Sequence, residues 1–304
     1  MLAAFPDRVL AVDDGRVRET ELDDITCLAS GPEGTTALVG TTDGLYELAD
    51  GTVRRRFEGH VTAVASDPRT DEWWLGTEPS AVYRSDDGET WARLPDLTTL
   101  PSSDEWSFPP RPETHHVRWL EPDPTRERRW YVAVEAGALV RTDDGGETWL
   151  DRVPGARRDT HELVAHESGR LYCAAGDGYA ESTDGGDSWT YPQAGLDERY
   201  CWSVAVGPAD SAVRVLSSAR SASHAHRRGV ASVYRNAGDE WSRVDDLPAG
   251  DGCYRAVVRA DGPGRFVVLS NRGLYRSTDR GETWERLVAG DDLPDAPPAG
   301  LLVG

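Results

Sequence analysis

Hydrophobic and polar residues alternate along short segments of the chain, and turn-forming residues separate one segment from the next. Alternation with a period of two, bounded by Gly, Asp and Pro, indicates β-strands. A clear example is the run of four segments HVTAVASD (60–67), EWWLGTE (72–78), AVYRSD (81–86) and TWARLPD (90–96). The pattern therefore predicts an all-β chain built from groups of four strands.

A tryptophan-containing segment recurs along the chain. Its copies are YRSDDGETWARL from residue 83, VRTDDGGETWLDRV from 140, AESTDGGDSWTYP from 180 and YRSTDRGETWERL from 275, with a degenerate copy, YRNAGDEWSRV, from 234. Their tryptophans lie 58, 40, 52 and 43 residues apart, at Trp91, Trp149, Trp189, Trp241 and Trp284. Intervals of this size are typical of one four-stranded unit each, and the two longer ones indicate insertions.

The pattern Ser/Thr-x-Asp-x-Gly-x-Thr/Ser-Trp resembles the Asp-box, or BNR, repeat of sialidase-like and sortilin-like β-propellers. Residues 142–149, 182–189 and 277–284 match it at every position, and 85–91 is one residue short. The resemblance implies that each motif joins the third and fourth strands of a blade, on the face opposite the ligand pocket. It also implies a structural role for Asp87, Asp144, Asp184, Asp279, Trp91, Trp149, Trp189 and Trp284.

The whole chain, 1–304, is expected to form one β-propeller domain. Six consecutive units cover approximately 25–59, 60–97, 114–155, 159–196, 199–248 and 252–289. The segments 1–24 and 298–304 supply three strands and one strand, which together make one further blade. Strands from both termini would close the ring and remove its open edge. We therefore predict seven blades, with six as the alternative.

The charge of the chain narrows the classes of partner. There are 53 acidic and 33 basic residues, which give a net charge of −20, and there is no lysine. This charge argues against nucleic acid and membrane as partners. An acidic surface is typical of a salt-adapted, haloarchaeal-type proteome, because salt screens its self-repulsion. Without an 18-residue apolar run or a signal peptide, we expect a cytoplasmic monomer whose four cysteines are free thiols.

Strand direction decides which connections share a face of the propeller. The face at which each inner strand begins, here called the entry face, also carries the connections between blades and those between second and third strands. Two long insertions, 97–113 and 219–230, fall on this face. Long loops on a rigid scaffold are frequently functional. Trp106 and Phe108 in the first insertion are candidate anchors for a partner, since aromatic side chains dominate interface energetics.

Polar and aromatic residues concentrate where the inner strands begin. Six of the seven histidines map to the entry face, and His166 is the exception. The candidate ligand-binding residues are His60, His116, Arg118, His161, Glu162, Tyr200, Trp202 and Arg255. We predict no cofactor. The alternative is a divalent metal ion held by His60, His116, His161 and Glu162.

Two classes of function fit the resemblance. The favoured one is a non-catalytic scaffold that binds a protein or a small ligand, as in the assembly-factor and sortilin-like branches. The alternative is a sialidase-like or other glycoside hydrolase, or a metal-dependent hydrolase, with candidate catalytic residues Glu162, Asp177, Tyr200 and Tyr254. Two carboxylates roughly 5–10 Å apart across a pocket are required for glycoside hydrolysis. The Phe/Tyr-Arg-Ile/Leu-Pro motif of sialidases does not occur, so we predict the scaffold.

Overall fold

The computed structural model describes residues 1–13, 16–31, 36–49, 51–208 and 211–304. Seven antiparallel sheets are present, and the inner strand of each sheet contacts the inner strand of the next. The seventh inner strand contacts the first, so the sheets form a closed ring around a central channel. This confirms the predicted seven-bladed β-propeller and excludes six blades.

Six blades are made of consecutive strands that run in order from the centre outwards. Blade 1 contains β4 (Ile25–Ser30), β5 (Ala37–Thr41), β6 (Gly44–Ala49) and β7 (Thr52–Glu58). Blade 2 contains β8 (Val61–Asp67), β9 (Glu72–Thr77), β10 (Val82–Ser85) and β11 (Ala92–Arg93). Blade 3 contains β12 (Val117–Pro122), β13 (Trp130–Val134) and β14 (Ala138–Thr142), and blade 4 contains β15 (Thr160–Ala165), β16 (Leu171–Ala175) and β17 (Gly178–Ser182).

The last three blades complete the ring. Blade 5 contains β18 (Tyr200–Val206), β19 (Arg214–Ala219), β20 (Val230–Asn236) and β21 (Trp241–Arg243), with β22 (Gly250–Asp251) paired to β20. Blade 6 contains β23 (Val257–Ala260), β24 (Phe266–Ser270), β25 (Gly273–Ser277) and β26 (Glu285–Ala289). Blade 7 contains β27 (Gly300–Leu302), β1 (Leu2–Phe5), β2 (Arg8–Asp13) and β3 (Arg16–Glu21).

The closing blade joins the two ends of the chain, as predicted. Strand β27 is its inner strand and pairs antiparallel with β1, so that Leu2 lies opposite Leu302 and Ala3 opposite Leu301. Leu301 is fully buried and belongs to the same apolar cluster as Phe5. This pairing covers the edge of β1, which would otherwise be open to another chain.

The core lies between neighbouring blades, because both faces of the second and third strands are covered. Every residue of β13 is buried. The rings of Trp74 in blade 2 and Trp130 in blade 3 stack with centroids 4.3 Å apart and planes at 9°. Such contacts fix each blade against the next, and they make the rim of the channel a rigid frame for side chains.

Five of the inner strands share a bulge near their beginnings. The register shifts at the second residue of β4, β8, β12 and β15, and at the third residue of β18. A bulge re-aims the side chain of the extra residue. Thr26 Oγ1 donates to the Val61 carbonyl of the next blade at 2.6 Å, and Thr62 Oγ1 donates to the Val117 carbonyl at 2.7 Å. In blades 3 to 5 the bulge position holds Arg118, His161 and Trp202, which are three of the predicted site residues.

Four turns that follow the third strands share one set of hydrogen bonds. Ser182 Oγ donates to Asp184 Oδ1 at 2.7 Å, and the same carboxylate oxygen accepts the Ser188 amide at 2.9 Å. Gly186, which has a φ of 89°, donates its amide to Ser182 Oγ at 2.8 Å. Equivalent bonds surround Asp87, Asp144 and Asp279. The motif aspartates therefore accept turn amides.

Three tryptophans of the recurring segment connect blades to one another. Trp91 Nε1 donates to the Arg56 carbonyl of the preceding blade at 3.0 Å. Trp149 Nε1 donates in the same way to the Pro95 carbonyl, also at 3.0 Å. Trp241, in the degenerate copy, makes an equivalent bond of 2.9 Å to blade 4. These side chains hold the outer part of the ring together.

Replacing Asp184 by alanine is expected to destabilise the protein by about 1–2 kcal/mol, because the turn amides lose their acceptor. Hydrogen bonds from the Ser188 side chain and amide lower the pKa of Asp184 to about 2. The unfolded carboxyl has a pKa near 3.9, so the stabilisation is complete above about pH 4 and is lost as the pH falls towards 2. Urea denaturation of both proteins at pH 7 and pH 3 measures the difference.

The control for this variant is Asp239→Ala, in the exposed turn of the degenerate copy. Asp239→Ala should stay within about 0.5 kcal/mol of the parent at both pH values. Equal losses in the two variants would contradict the account of the motif.

The first insertion does not form the exposed docking patch that its aromatic residues suggested. Trp106 is 5% exposed, packs in the core cluster of blades 2 and 3, and donates from Nε1 to Ser102 Oγ at 3.0 Å. The rings of Phe108 and His116 pack edge to face, with centroids 4.8 Å apart. Short helices at Leu97–Thr99 and Ser103–Glu105 fold the segment back onto the blades. The insertion therefore covers the core and the edge of the site.

Two further helices among the described residues are also short, at His224–Arg228 and Gly290–Asp292. Within the described ranges, no helix is long and apolar enough to span a membrane. The four cysteines are free thiols, as predicted, and Cys173, Cys201 and Cys253 are buried.

Candidate binding site at the entry face

Six of the eight predicted ligand-binding residues meet where the inner strands begin. They form a connected set with three residues that were not in the predicted list. We call this set the entry cluster; it consists of His116, Arg118, Glu135, Asp159, His161, Tyr200, Trp202, His226 and Arg255.

Trp202 lies at the centre of the entry cluster. Its ring centroid is 4.7 Å from that of His161 and 4.6 Å from that of His226. The Tyr200 ring stacks against it at 6.5 Å and 23°. Only 7% of Trp202 is exposed. The β18 bulge thus places one large aromatic ring at the mouth of the channel as a platform for its neighbours.

His226 is supplied by the second insertion, in the helix His224–Arg228. Burial and the charge of Arg255 lower the pKa of His226 to about 2, so its ring is neutral. Its Nδ1 accepts a hydrogen bond from Arg255 Nε at 3.1 Å. The other ring nitrogen, Nε2, then carries the proton and donates to the Tyr200 hydroxyl at 3.2 Å.

Two arginines stack on the same tryptophan. The guanidinium carbon of Arg118 is 4.5 Å from the Trp202 ring centroid, and that of Arg255 is 3.8 Å from it. Arg255 also donates from Nη1 to the Pro298 carbonyl at 2.7 Å. Burial lowers the pKa of Arg255, and the charge of Arg118 lowers it further, to about 9. The guanidinium is therefore still charged at neutral pH. Among the described residues, no carboxylate lies within 4.0 Å of it.

Glu135 is the carboxylate nearest to Arg118. Its Oε2 lies 3.1 Å from His116 Nε2 and 3.5 Å from Arg118 Nε. Burial alone would raise the pKa of Glu135, but the hydrogen bond to His116 and nearby positive charge lower it to about 2. Glu135 therefore carries a negative charge, and both His116 and Arg118 interact with it.

His60 and Glu78 lie beside the entry cluster. Glu78 Oε2 is 2.5 Å from Arg111 Nη2 in the first insertion and 3.7 Å from His116 Nδ1. Burial lowers the pKa of His60, which favours its neutral form. This side of the entry face is thus bounded by an ion pair between the insertion and blade 2.

Glu162 lies apart from the entry cluster, in the central channel, where a cavity of about 310 Å³ is lined by the inner strands. It accepts hydrogen bonds from Arg259 Nη1 at 3.0 Å and from Ser203 Oγ at 3.0 Å. Glu121 lines the same cavity, and burial raises its pKa to about 8, so its carboxyl keeps its proton at neutral pH. Trp202 and Arg118 line this cavity as well, which places them between the channel and the entry face.

The four candidate catalytic residues do not meet. Glu162 is paired with Arg259, while Asp177 is 46% exposed and lies 3.8 Å from Arg157. Tyr254 lines a separate small cavity between blades 5 and 6. A pair of free carboxylates facing one another across a pocket is therefore not formed by these residues.

Three members of the entry cluster were missing from the predicted list. Glu135 directly follows β13, and Asp159 directly precedes β15, so both lie at the entry-face ends of strands. That position is the signal that could have found them. His226 was placed on the correct face by its insertion, but its burial depends on how the loop folds.

Comparison with known proteins shows the fold and one similar sequence. No family model matches the chain. Its sequence is 26% identical to the photosystem II assembly lipoprotein Ycf48 of Synechococcus sp. (strain CC9902) over 258 residues, which cover 84% of this chain and 70% of the relative. Its structure is similar to that of Ycf48 bound to D1 peptide, with a TM-score of 0.61, 17% identity, and coverage of 86% of this chain and 80% of that one. The chain shares the fold of these propellers.

An enzyme has the same fold. The GH74 enzyme of Niastella koreensis matches with a TM-score of 0.68 and 16% identity, covering 95% of this chain and 55% of that one. The chain therefore spans about half the length of that enzyme. At this identity the likeness concerns the fold alone.

Proposed function

We propose that the protein is a non-catalytic β-propeller that binds a carboxylate-bearing segment of a partner protein at the entry cluster. The observation that carries the proposal is the environment of Arg255. Its side chain is half-buried, and its charged guanidinium contacts Trp202, His226 and the Pro298 carbonyl, which are all uncharged. A partly buried cation without a carboxylate in contact is costly to keep in a folded protein. A carboxylate of the partner would supply that counter-ion.

Arg118 offers a second donor for the same carboxylate. Its Nε faces Glu135 Oε2 at 3.5 Å, which leaves the two Nη groups as donors, and its plane stacks on Trp202 beside Arg255. Stacked guanidinium groups lose little rotamer freedom on binding and suit the planar geometry of a carboxylate. Tyr200 and Trp202 add aromatic surface, which is typical of the residues that dominate binding energy.

The comparisons support protein binding more than hydrolysis. Ycf48 is described as an assembly protein, and one of its structures holds a peptide, so a propeller of similar sequence is known to bind polypeptide. The GH74 enzyme supports hydrolysis through the fold alone. The candidate carboxylates argue further against hydrolysis, because Glu162 is engaged by Arg259 and Ser203.

We further propose that binding takes place in a salt-rich cytoplasm. A chain with a net charge of −20 repels an acidic ligand at long range in dilute buffer. At molar salt the screening length is about 3 Å, so the long-range repulsion disappears while close contacts with the half-buried arginines remain. Binding should therefore be measured in molar KCl.

The test uses pairs of fluorescein-labelled acidic decapeptides, each made with Glu or Gln at the same positions and with a free or amidated carboxyl terminus. Carboxylate-bearing members should bind the full chain in molar KCl, and Arg255→Met should weaken their binding by at least about tenfold. Fluorescence anisotropy measures both. The variant should remain folded, because it removes an uncompensated cation.

The matched control is Arg227→Met, an exposed arginine of the same insertion that supplies His226. It should leave the affinity unchanged. Equal affinities for the Glu and Gln peptides, or equal affinities of Arg255→Met and the parent, would overturn the proposal.

A further inference from the structure

Three potential metal ligands come together on one side of the entry cluster. Ligand-capable atoms of Glu135, Asp159 and His161 all lie within 4.8 Å of one another. The residues come from two neighbouring blades: Glu135 follows β13, whereas Asp159 precedes β15 and His161 is its second residue. The closed ring of blades therefore holds these three side chains around one point at the ends of rigid strands.

His161 has the tautomer and the orientation of a metal ligand. Its Nδ1 lies 2.7 Å from the Cys201 carbonyl, so this nitrogen carries the proton and donates it. The lone pair is then on Nε2, which is completely buried and has no hydrogen-bond partner within the described structure. The nearest acid oxygen, Asp159 Oδ2, is 3.7 Å away, beyond hydrogen-bond distance. A buried nitrogen left without a partner is costly to the folded protein.

Neighbouring groups hold the two carboxylates in place. Asp159 Oδ1 accepts the Ala136 amide at 2.8 Å, which leaves Oδ2 on the side of His161. Glu135 is oriented by His116 through its Oε2 at 3.1 Å. Metal ligands are typically fixed in this way, each by an outer hydrogen bond on the atom that does not bind the metal.

We propose that Glu135, Asp159 and His161 bind one divalent first-row transition-metal ion, with Zn²⁺ or Mn²⁺ as the best matches. One imidazole nitrogen and two carboxylate oxygens suit these ions. The three residues offer no sulfur ligand, which Cu(I) prefers. Two negative charges balance the charge of the ion. The Asp159 side chain is 27% exposed, so the ion can enter from the entry face. The remaining coordination positions are open to solvent or to a ligand.

Electrostatics agree with this site, because ligand-capable oxygens of Glu135 and Asp159 lie within 4.8 Å of one another. A divalent ion between the two carboxylates would relieve their repulsion. The site differs from the predicted one, because Glu162 is bound to Arg259 and the His116 Nε2 atom is occupied by Glu135. The inference of a metal site is independent of the proposed binding of a partner's carboxylate at Arg255.

The test uses the full chain without a histidine tag, stripped with chelator and titrated with ZnCl₂ in molar KCl, which suppresses weak binding to the acidic surface. We expect one equivalent of Zn²⁺ to be retained after dialysis, measured by elemental analysis, and the melting temperature to rise with it. The isosteric variant Asp159→Asn should weaken the affinity by more than about tenfold and abolish the rise.

The matched control is Asp104→Asn, which changes an exposed carboxylate of the first insertion in the same way. It should bind Zn²⁺ like the parent. A second probe is Co²⁺, whose visible d–d absorption depends on its coordination geometry and should change in His161→Gln. Absence of stoichiometric Zn²⁺ and Mn²⁺ in the parent, or unchanged affinity in Asp159→Asn, would overturn the inference.

Discussion

Replacing Glu162 by alanine is expected to destabilise the protein by about 3–5 kcal/mol, the largest single effect that we predict. Glu162 is 4% exposed and neutralises Arg259 through contacts of 3.0 and 3.1 Å. It also accepts hydrogen bonds from Ser203 Oγ and the Val204 amide, so the substitution leaves several polar groups without partners. Urea denaturation measures the loss.

The double variant Glu162→Ala/Arg259→Met tests the cause. If the uncompensated cation is responsible, removing Arg259 as well should recover a large part of the lost stability. Glu282→Ala is the control, because Glu282 pairs with Arg235 while 65% exposed, and such pairs contribute less than about 1 kcal/mol. A loss for Glu162→Ala as small as that of the control would show that the channel pair is not structural.

Replacing Leu301 by alanine is expected to cost about 2–5 kcal/mol, because it opens a cavity at the seam of the ring. Leu301 is fully buried in β27, the strand that closes blade 7 against β1. Loss of this packing also exposes the inner edge of β1 to other chains. Urea denaturation and light scattering measure the two consequences.

The control for the seam is Val53→Ala, a strand residue of blade 1 that is 41% exposed. Val53→Ala should change the free energy of unfolding by less than about 0.5 kcal/mol. Equal effects of the two substitutions would mean that β27 contributes nothing to the closed ring.

The fold could be predicted from the sequence because its signals are local and repeated. The interval between Trp149 and Trp189 equals the length of one blade, and the alternating segments indicate its strands. Closure by AGLLVG (299–304) followed from counting strands, since one terminus lacked an inner strand and the other had a spare one. Propeller blades contact mainly their neighbours, so a local pattern determines most of the architecture.

The site could be predicted only in part, because it depends on where side chains turn at the bulges. The sequence placed Trp202 and Arg255 on the correct face, since strand parity determines the face. It did not separate His161 from Glu162, which are adjacent in β15 but face the entry cluster and the channel respectively. Nor did it show that Trp106 is buried, because the path of an insertion depends on contacts with distant residues.

The entry cluster combines two unsatisfied features that point to ligands of opposite charge. Arg255 is a cation without a carboxylate, and His161 Nε2 is a buried acceptor beside two carboxylates. Both lie around Trp202, which fixes the distance between them. A buried polar group left unpaired in a native protein calls for an explanation, and a bound ion or ligand is one such explanation.

The most direct test of the account is a crystal structure of the full chain with an acidic peptide selected by anisotropy. We predict that a peptide carboxylate lies within about 3 Å of the Arg255 guanidinium, with Arg118 as a second donor. A peptide bound at the outer strands, or one whose carboxylates stay in solvent while Arg255 keeps its present neutral contacts, would contradict the central claim.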